Sequence, residues 1–276
     1  MAHWPHMADR QHGNMYPVAR AILGPISKFA WRIHTTGLEH VPSSGPAILA
    51  PNHVSFLDSP LLMFSLPRRI TYVGKAEYMD DWKTKYLFPA VGMIPIDRGG
   101  GSASQRALDA AAGVLERGEL FGIFPEGTRS RDGILHRGHT GPARLALRTG
   151  APIIPVGMKG TRDIQPPDAK MPKIFQPCEV NIGKPIDVSR HQGHANDRLL
   201  LRQIIDEVMY EIRELSGQDY VDEYATKKPE GYDAAGDSKV LTAEEATASN
   251  GHGTNGDGPE AESPKRSSAD VLAKWS

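Results

Sequence analysis

Apolar residues recur at helical spacing from Met15 to Ile33, at Met15, Val18, Ala19, Ile22, Ile26, Phe29, Ala30 and Ile33. That period predicts an amphipathic helix, with Pro25 as a kink or break. From about Gly37 the pattern changes to short apolar runs at 46–50, 70–73, 93–96, 120–124 and 152–156, which read as strands. Between them, Ala107, Leu108, Ala111, Val114 and Leu115 mark a helix over 104–116, with Gly118 where a C′ glycine belongs. A shorter helix is expected over 142–148, and residues 180–185 read as a late strand and turn. Asn196-Asp197 then opens a helix with Leu200, Ile204, Ile205, Val208, Ile212 and Leu215 on one face, closed by Gly217. Alternation of this kind predicts an α/β fold: a single domain with a central, mostly parallel sheet flanked by helices.

The ends of the chain differ in character. Residues 1–14 are short and polar, and beyond about Ala225 the chain turns to Gly, Ala, Ser, Glu, Asp and Lys with few large apolar residues. Such a composition cannot bury enough surface to fold alone. The expected organisation is a disordered 1–14, an amphipathic helical segment over 15–35, a folded domain over 36–224 and a disordered tail over 225–276. The helical segment carries Arg20, Lys28 and Arg32 with no acid, and Trp31 adds an amphipathic ring. It suits either the plane of a bilayer interface or the protein's own core.

Lys and Arg number 32 against 33 Asp and Glu, so no global basic excess points to nucleic acid. A single cysteine, Cys178, excludes an internal disulfide and fits a reducing compartment. No stretch approaches the roughly 18 consecutive apolar residues of a membrane span, and no apolar signal-peptide core is visible.

Candidate chemistry concentrates in Asn52-His53-Val54-Ser55-Phe56-Leu57-Asp58, just after the first apolar run. A neutral imidazole can take a proton from a hydroxyl, and a carboxylate on its other nitrogen fixes the tautomer. A five-residue step on a straight helix leaves two side chains far apart. For His53 and Asp58 to meet, the histidine must sit in a strand-to-helix turn and the aspartate in the first helical turn. The stretch also has the form of a capping box, Ser55-x-x-Asp58 before Leu61 and Leu62, under which His53 is an ordinary loop residue. A second stretch, Phe124-Pro125-Glu126-Gly127-Thr128-Arg129-Ser130, leaves a strand through Pro and turns at Gly, where ligands of open α/β sheets bind. Arg129 suits a phosphate, Thr128 and Glu126 hydroxyls. A third, Ile94-Pro95-Ile96-Asp97-Arg98, offers a second anion contact before three glycines, and 154–157 reads as a core strand.

These four blocks, in this order and at these intervals, resemble the glycerolipid acyltransferase family, specifically the 1-acylglycerol-3-phosphate (lysophosphatidic acid) acyltransferases. The match is N-H-x-S-x-x-D at Asn52–Asp58, an arginine closing the second block at Arg98, F-P-E-G-T-R-S at 124–130 and I-P-V at 154–156. Lys75 and Glu77 resemble the family's K-x-E segment. His136 and His139 depart from the pattern and read as exposed loop histidines, and Cys178 lies outside every block.

The resemblance implies transfer of a fatty acyl group from acyl-CoA or acyl carrier protein to the free hydroxyl of lysophosphatidic acid, giving phosphatidic acid. His53 is then the general base and Asp58 its orienting group. Lys75, Arg98, Glu126, Gly127, Thr128 and Arg129 hold the acceptor, no metal or other cofactor is needed, and the partners are the two substrates and a membrane surface. The implied location is the cytoplasmic face of the cell membrane, peripheral or monotopic. Within the family, glycerol 3-phosphate or another lysophospholipid is an alternative acceptor. From other classes, a metal-dependent phosphoesterase with His53, Asp58 and Glu126 as ligands, or a silent lipid-binding module, remain as rivals.

Overall fold

A computed structural model describes residues 16–75, 93–96, 103–167, 169 and 171–226. All of them fall within one compact unit, Met1–Gly236. The expected disorder at 1–14, the tail from 227 onward, residues 76–92 with Glu77, and residues 97–102 with Asp97 and Arg98 lie outside the described residues.

The fold is organised on the strand Ala47–Pro51 (β2), every residue of which is buried. It pairs in parallel with Leu120–Gly122 (β5) on one side, Ile48 opposite Phe121. On the other side it pairs in parallel with Ile153–Lys159 (β7), Leu49 opposite Ile154. Ile70–Lys75 (β3) and Met93–Ile96 (β4) extend the sheet beyond β5. Cys178–Ile182 (β8) and Ile33–Thr36 (β1) extend it beyond β7. The strand order is β1-β8-β7-β2-β5-β3-β4, parallel throughout except for the β7–β8 pair. The mixed α/β architecture with a mostly parallel central sheet is thus the one the alternating pattern predicts.

The pleat of β2 sorts the core into two layers. Ala47 and Leu49 face a layer with Leu61, Leu62 and Leu66, contributed by and just beyond the helix Asp58–Ser65 (α2). Ile48 and Ala50 face the opposite layer, built by Ala103–Glu116 (α3), Gly141–Thr149 (α4) and Arg198–Ser216 (α6). Burying each large aliphatic side chain contributes about 1.5–3 kcal/mol, so a strand buried on both faces anchors everything attached to its ends. Helix α6 starts where expected, with the Asp197 carboxylate accepting from the Leu199 and Leu200 amides, and stops at Gly217 with φ of 68°.

Some elements depart from the pattern-based reading. The N-terminal helix spans Tyr16–Ala30 (α1), running through Pro25 and ending before Ile33. Ile33 instead opens β1, held by Cys178 and its neighbours on β8, a pairing across the chain that local periodicity cannot reveal. The short helix Thr161–Ile164 (α5) and a small parallel ladder between Leu135–His136 (β6) and Tyr220–Val221 (β9) carry no sequence signal of their own. No described helix is long and apolar enough to cross a membrane.

Candidate active site

Strands β2 and β5 are neighbours and run the same way, so the turns leaving their carboxyl ends meet. The turn after β2 is locked from both sides. Asn52, buried, accepts from the Met158 amide (2.7 Å) and donates to the Met158 carbonyl (3.0 Å) and to Gln218 Oε1 (2.6 Å). His53 accepts at its carbonyl from the Ser130 amide at 2.7 Å. Its own amide donates to Glu126 Oε1 at 2.9 Å.

In that turn His53 Nδ1 lies 2.9 Å from Asp58 Oδ2. The same oxygen accepts from the amides of Val54 and Ser55, both at 2.8 Å. Asp58 is fully buried, whereas the imidazole keeps 18% of its surface exposed. An ionised carboxylate only accepts, so the proton in this contact sits on Nδ1. Nε2 is left with its lone pair, and among the described residues it has no partner. Asp58 stands in the first turn of α2 and His53 in the preceding bend, as contact across five residues requires.

The capping reading is also realised, in part. Asp58 accepts the Ser55 amide, while the Ser55 hydroxyl accepts from Leu57 (3.2 Å) and donates to the Gln165 carbonyl (3.1 Å). One carboxylate therefore closes the helix start and orients the imidazole, so the two readings of this stretch are not exclusive.

The second turn supplies a ring and a brace. Phe124 stacks on the His53 imidazole, centroids 3.8 Å apart and planes 20° from parallel, which fixes the ring's plane. The Tyr72 ring lies beyond Phe124 (5.9 Å) and over Gly122, where any Cβ would come within 2.1 Å of it. Gly127 makes the turn with φ of 71°, a backbone conformation that favours glycine. Thr128 and Arg129 are half-buried and have no hydrogen-bond partner among the described residues. They remain available to a ligand.

Glu126 is different. It is wholly buried, with Oε1 on the His53 amide and Oε2 on the His136 amide (3.1 Å). The structure turns this carboxylate inward as a strut between two loops, away from the ligand-facing position expected for it. Burial pushes it up to about 7 against the opposing effect of those amides.

His136 is not an exposed loop residue either. Its Nε2 sits 3.0 Å from Asp132 Oδ2, its Nδ1 3.3 Å from the Glu223 carbonyl, and 12% of the side chain is exposed. The Asp132 hydrogen bond raises His136. Asp132 falls to about 2, since the bonds from His136 and Ser130 outweigh its partial burial. His139 is exposed and stacks on Tyr224 (4.5 Å). Cys178 is buried in β8, and burial pushes its thiol up to about 12, which removes it as a nucleophile near neutrality.

Lys75 ends β3, its side chain lying outside what is described, and Arg98 lies outside the described residues altogether. Among the described residues no group of three or more His, Cys, Asp or Glu is placed to hold a metal ion. The trio required by the metal-ligand reading is otherwise engaged, Glu126 with two amides and Asp58 with His53 and two more.

A family model described as Acyltransferase matches residues 32–159, which include the His53 turn, the 124–130 turn and most of the sheet. That stretch is similar to the acyltransferase family. The chain is 31% identical over 168 residues to the chloroplastic 1-acyl-sn-glycerol-3-phosphate acyltransferase of Arabidopsis thaliana, covering 60% of this chain and 47% of that one. It is 28% identical over 215 residues to the alpha form of 1-acyl-sn-glycerol-3-phosphate acyltransferase of Bos taurus, covering 74% and 71%. The chain thus spans about half the length of the first curated relatives it matches. The crystal structure of the 1-acyl-sn-glycerophosphate acyltransferase from Thermotoga maritima superposes with a TM-score of 0.56 at 26% identity, covering 72% of this chain and 82% of that one.

Sequence reasoning missed three parts of this site: the Phe124 stack, the Asn52 lock and the Glu126 strut. Each lies inside a block read from the sequence. Their roles depend on the β2–β5 and β2–β7 register, which no local pattern carries.

Proposed function

We propose that the protein is a 1-acylglycerol-3-phosphate acyltransferase, moving a fatty acyl group from acyl-CoA or acyl carrier protein to the free hydroxyl of lysophosphatidic acid and releasing phosphatidic acid. The observation that carries this reading is the 2.9 Å contact between a partly exposed His53 and a fully buried Asp58, with Nε2 left to accept a proton. The curated relatives, named for this activity, support the choice of substrates.

His53 Nε2 takes the acceptor's hydroxyl proton as its oxygen attacks the thioester carbonyl. The new C–O bond forms, the C–S bond breaks, and the imidazolium returns the proton to the leaving thiolate. Asp58 stabilises the imidazolium, and Phe124 holds the ring's plane. Thr128 and Arg129 meet the glycerol phosphate, with Arg98 and Lys75 as further cationic contacts. No step uses a metal or Cys178. The acceptor is a lipid, and α1 offers a surface on which the protein can meet a bilayer from the cytoplasmic side.

The test is phosphatidic acid formation from palmitoyl-CoA and lysophosphatidic acid by the full chain, with glycerol 3-phosphate and other lysophospholipids as competing acceptors. Product from lysophosphatidic acid, undiminished by chelator, is expected. Phosphate release that chelator abolishes, with no acyl transfer, would establish the phosphoesterase alternative instead.

A further inference from the structure

Helix α1 packs the wrong way round for a helix that belongs to a water-soluble surface. The stripe against the protein is Tyr16, Arg20, Gly24 and Ser27, at steps of four, four and three residues. Two bonds tie it down: Tyr16 Oη to the Arg68 carbonyl (3.4 Å) and the Arg20 guanidinium to the Pro67 carbonyl (2.7 Å). The apolar stripe, Val18, Ile22, Ile26 and Phe29, points away from the core, and Phe29 is 76% exposed. An amphipathic helix normally buries that stripe in its own domain.

A second apolar segment stands beside it. In the loop between α5 and β8, Met171, Ile174 and Phe175 are all exposed. The Phe175 ring meets Phe29 edge-on at 6.0 Å. This loop is fastened to the end of α1. The Phe175 amide donates to the Ala30 carbonyl, the Arg32 guanidinium to the Phe175 carbonyl (2.8 Å) and the Trp31 indole to the Lys173 carbonyl (2.8 Å). Phe175 is held at φ of 62°, a left-handed conformation costly for a non-glycine residue, so its outward aim is imposed by its surroundings. At the loop's base the Lys173 amide returns to the Ile164 carbonyl at 2.7 Å, and Gln165 accepts the Ser55 hydroxyl two residues from His53.

From this geometry we infer that α1 and the 171–175 loop are two halves of one membrane-inserting face, and that the loop joins this face to the catalytic turn. The occupant is an anionic bilayer surface. Lys28, Arg32 and Lys173 are exposed around the apolar residues, and α1 carries no acid. The inference rests on the lipid acceptor of the proposed function only for its consequence, that the acceptor reaches His53 along this loop.

Cosedimentation of the full chain with phosphatidylcholine vesicles containing phosphatidylglycerol tests it directly. Two pairs of exposed substitutions, Ile22→Ser with Ile26→Ser on α1 and Ile174→Ser with Phe175→Asn on the loop, leave the core untouched, and thermal melting checks the fold. Each pair is expected to weaken partition by roughly tenfold or more. Each should slow turnover of vesicle-embedded lysophosphatidic acid but not of a water-soluble short-chain analogue. Wild-type binding by the loop pair would overturn the composite face. So would a wild-type chain that ignores the vesicles, or pairs that dissolve a dimer and leave vesicle binding unchanged. If nothing is acylated in any assay the acyltransfer reading fails, while partition alone still decides this proposal.

Discussion

Among the described residues, two histidine–aspartate pairs nearly match in length, His53–Asp58 at 2.9 Å and His136–Asp132 at 3.0 Å. Glu126 touches the backbone of both histidines. What separates them is the rest of each environment. His136 has both ring nitrogens engaged, one by Asp132 and one by the Glu223 carbonyl, so it ties 132–136 to the chain beyond α6. His53 has one nitrogen committed to a carboxylate with no solvent exposure, and the other without a partner among the described residues. A base needs an unprotonated nitrogen open to its substrate, and only the first pair has one. A His–Asp contact by itself identifies neither a dyad nor a staple.

The widest separation is expected from removing each imidazole. His53→Ala should lower acyl transfer by about 10²–10⁴, the usual contribution of a general base, with the melting temperature little changed. Next comes the carboxylate. Asp58→Asn keeps an oxygen for the two amides but no longer stabilises an imidazolium, and turnover should fall roughly a hundredfold, whereas Asp132→Asn should cost less than about fivefold. Steady-state kinetics on the two variants measures the contrast. A large loss from Asp132→Asn would erase the distinction between the pairs.

Glu126 sharpens the comparison through pH. Its ordinary value of 4.5 rises to about 7 on folding, so between those values the folded chain holds a proton that the unfolded chain has released. Stability from this group is therefore greatest below about 4.5 and declines as pH climbs through about 7, on the order of 3 kcal/mol in all. Glu126→Gln should flatten that slope in denaturant titrations at several pH values, and its amide, facing one backbone N–H, should also loosen the His53 turn and lower the rate. The Asp132–His136 pair is limited on both sides of the pH range. Its contribution weakens as pH rises through the raised value of His136 or falls through about 2, and it amounts to about 1 kcal/mol. The smallest effect belongs to Cys178→Ala. A buried thiol held up at about 12 should leave turnover unchanged, and alkylating reagents should inactivate only on unfolding.

Much of this site was legible because its chemistry is local. A five-residue spacing across the turn between β2 and α2 lets His53 and Asp58 meet, and the sheet followed from the alternation of short apolar runs with helical periods. The failures were all long-range. Glu126 looked like a ligand contact because a Glu in a polar turn ordinarily faces solvent, but the β2–β5 register sets it beneath the His53 amide, 73 residues away. His136 looked exposed because the chain that covers it comes from Glu223, 87 residues later. Ile33 fitted the helical period of α1 and also the start of β1, and pairing with Cys178 decided for the strand. Thr128 and Arg129 sit where the sequence placed them, at the carboxyl end of β5 with no partner among the described residues.

The most direct measurement of the central claim is acyl transfer from palmitoyl-CoA to lysophosphatidic acid by wild type, His53→Ala and His136→Ala, side by side under saturating substrates. Turnover that survives in His136→Ala and collapses in His53→Ala is the predicted result. Equal loss in both, or survival in His53→Ala, would contradict the assignment of the base.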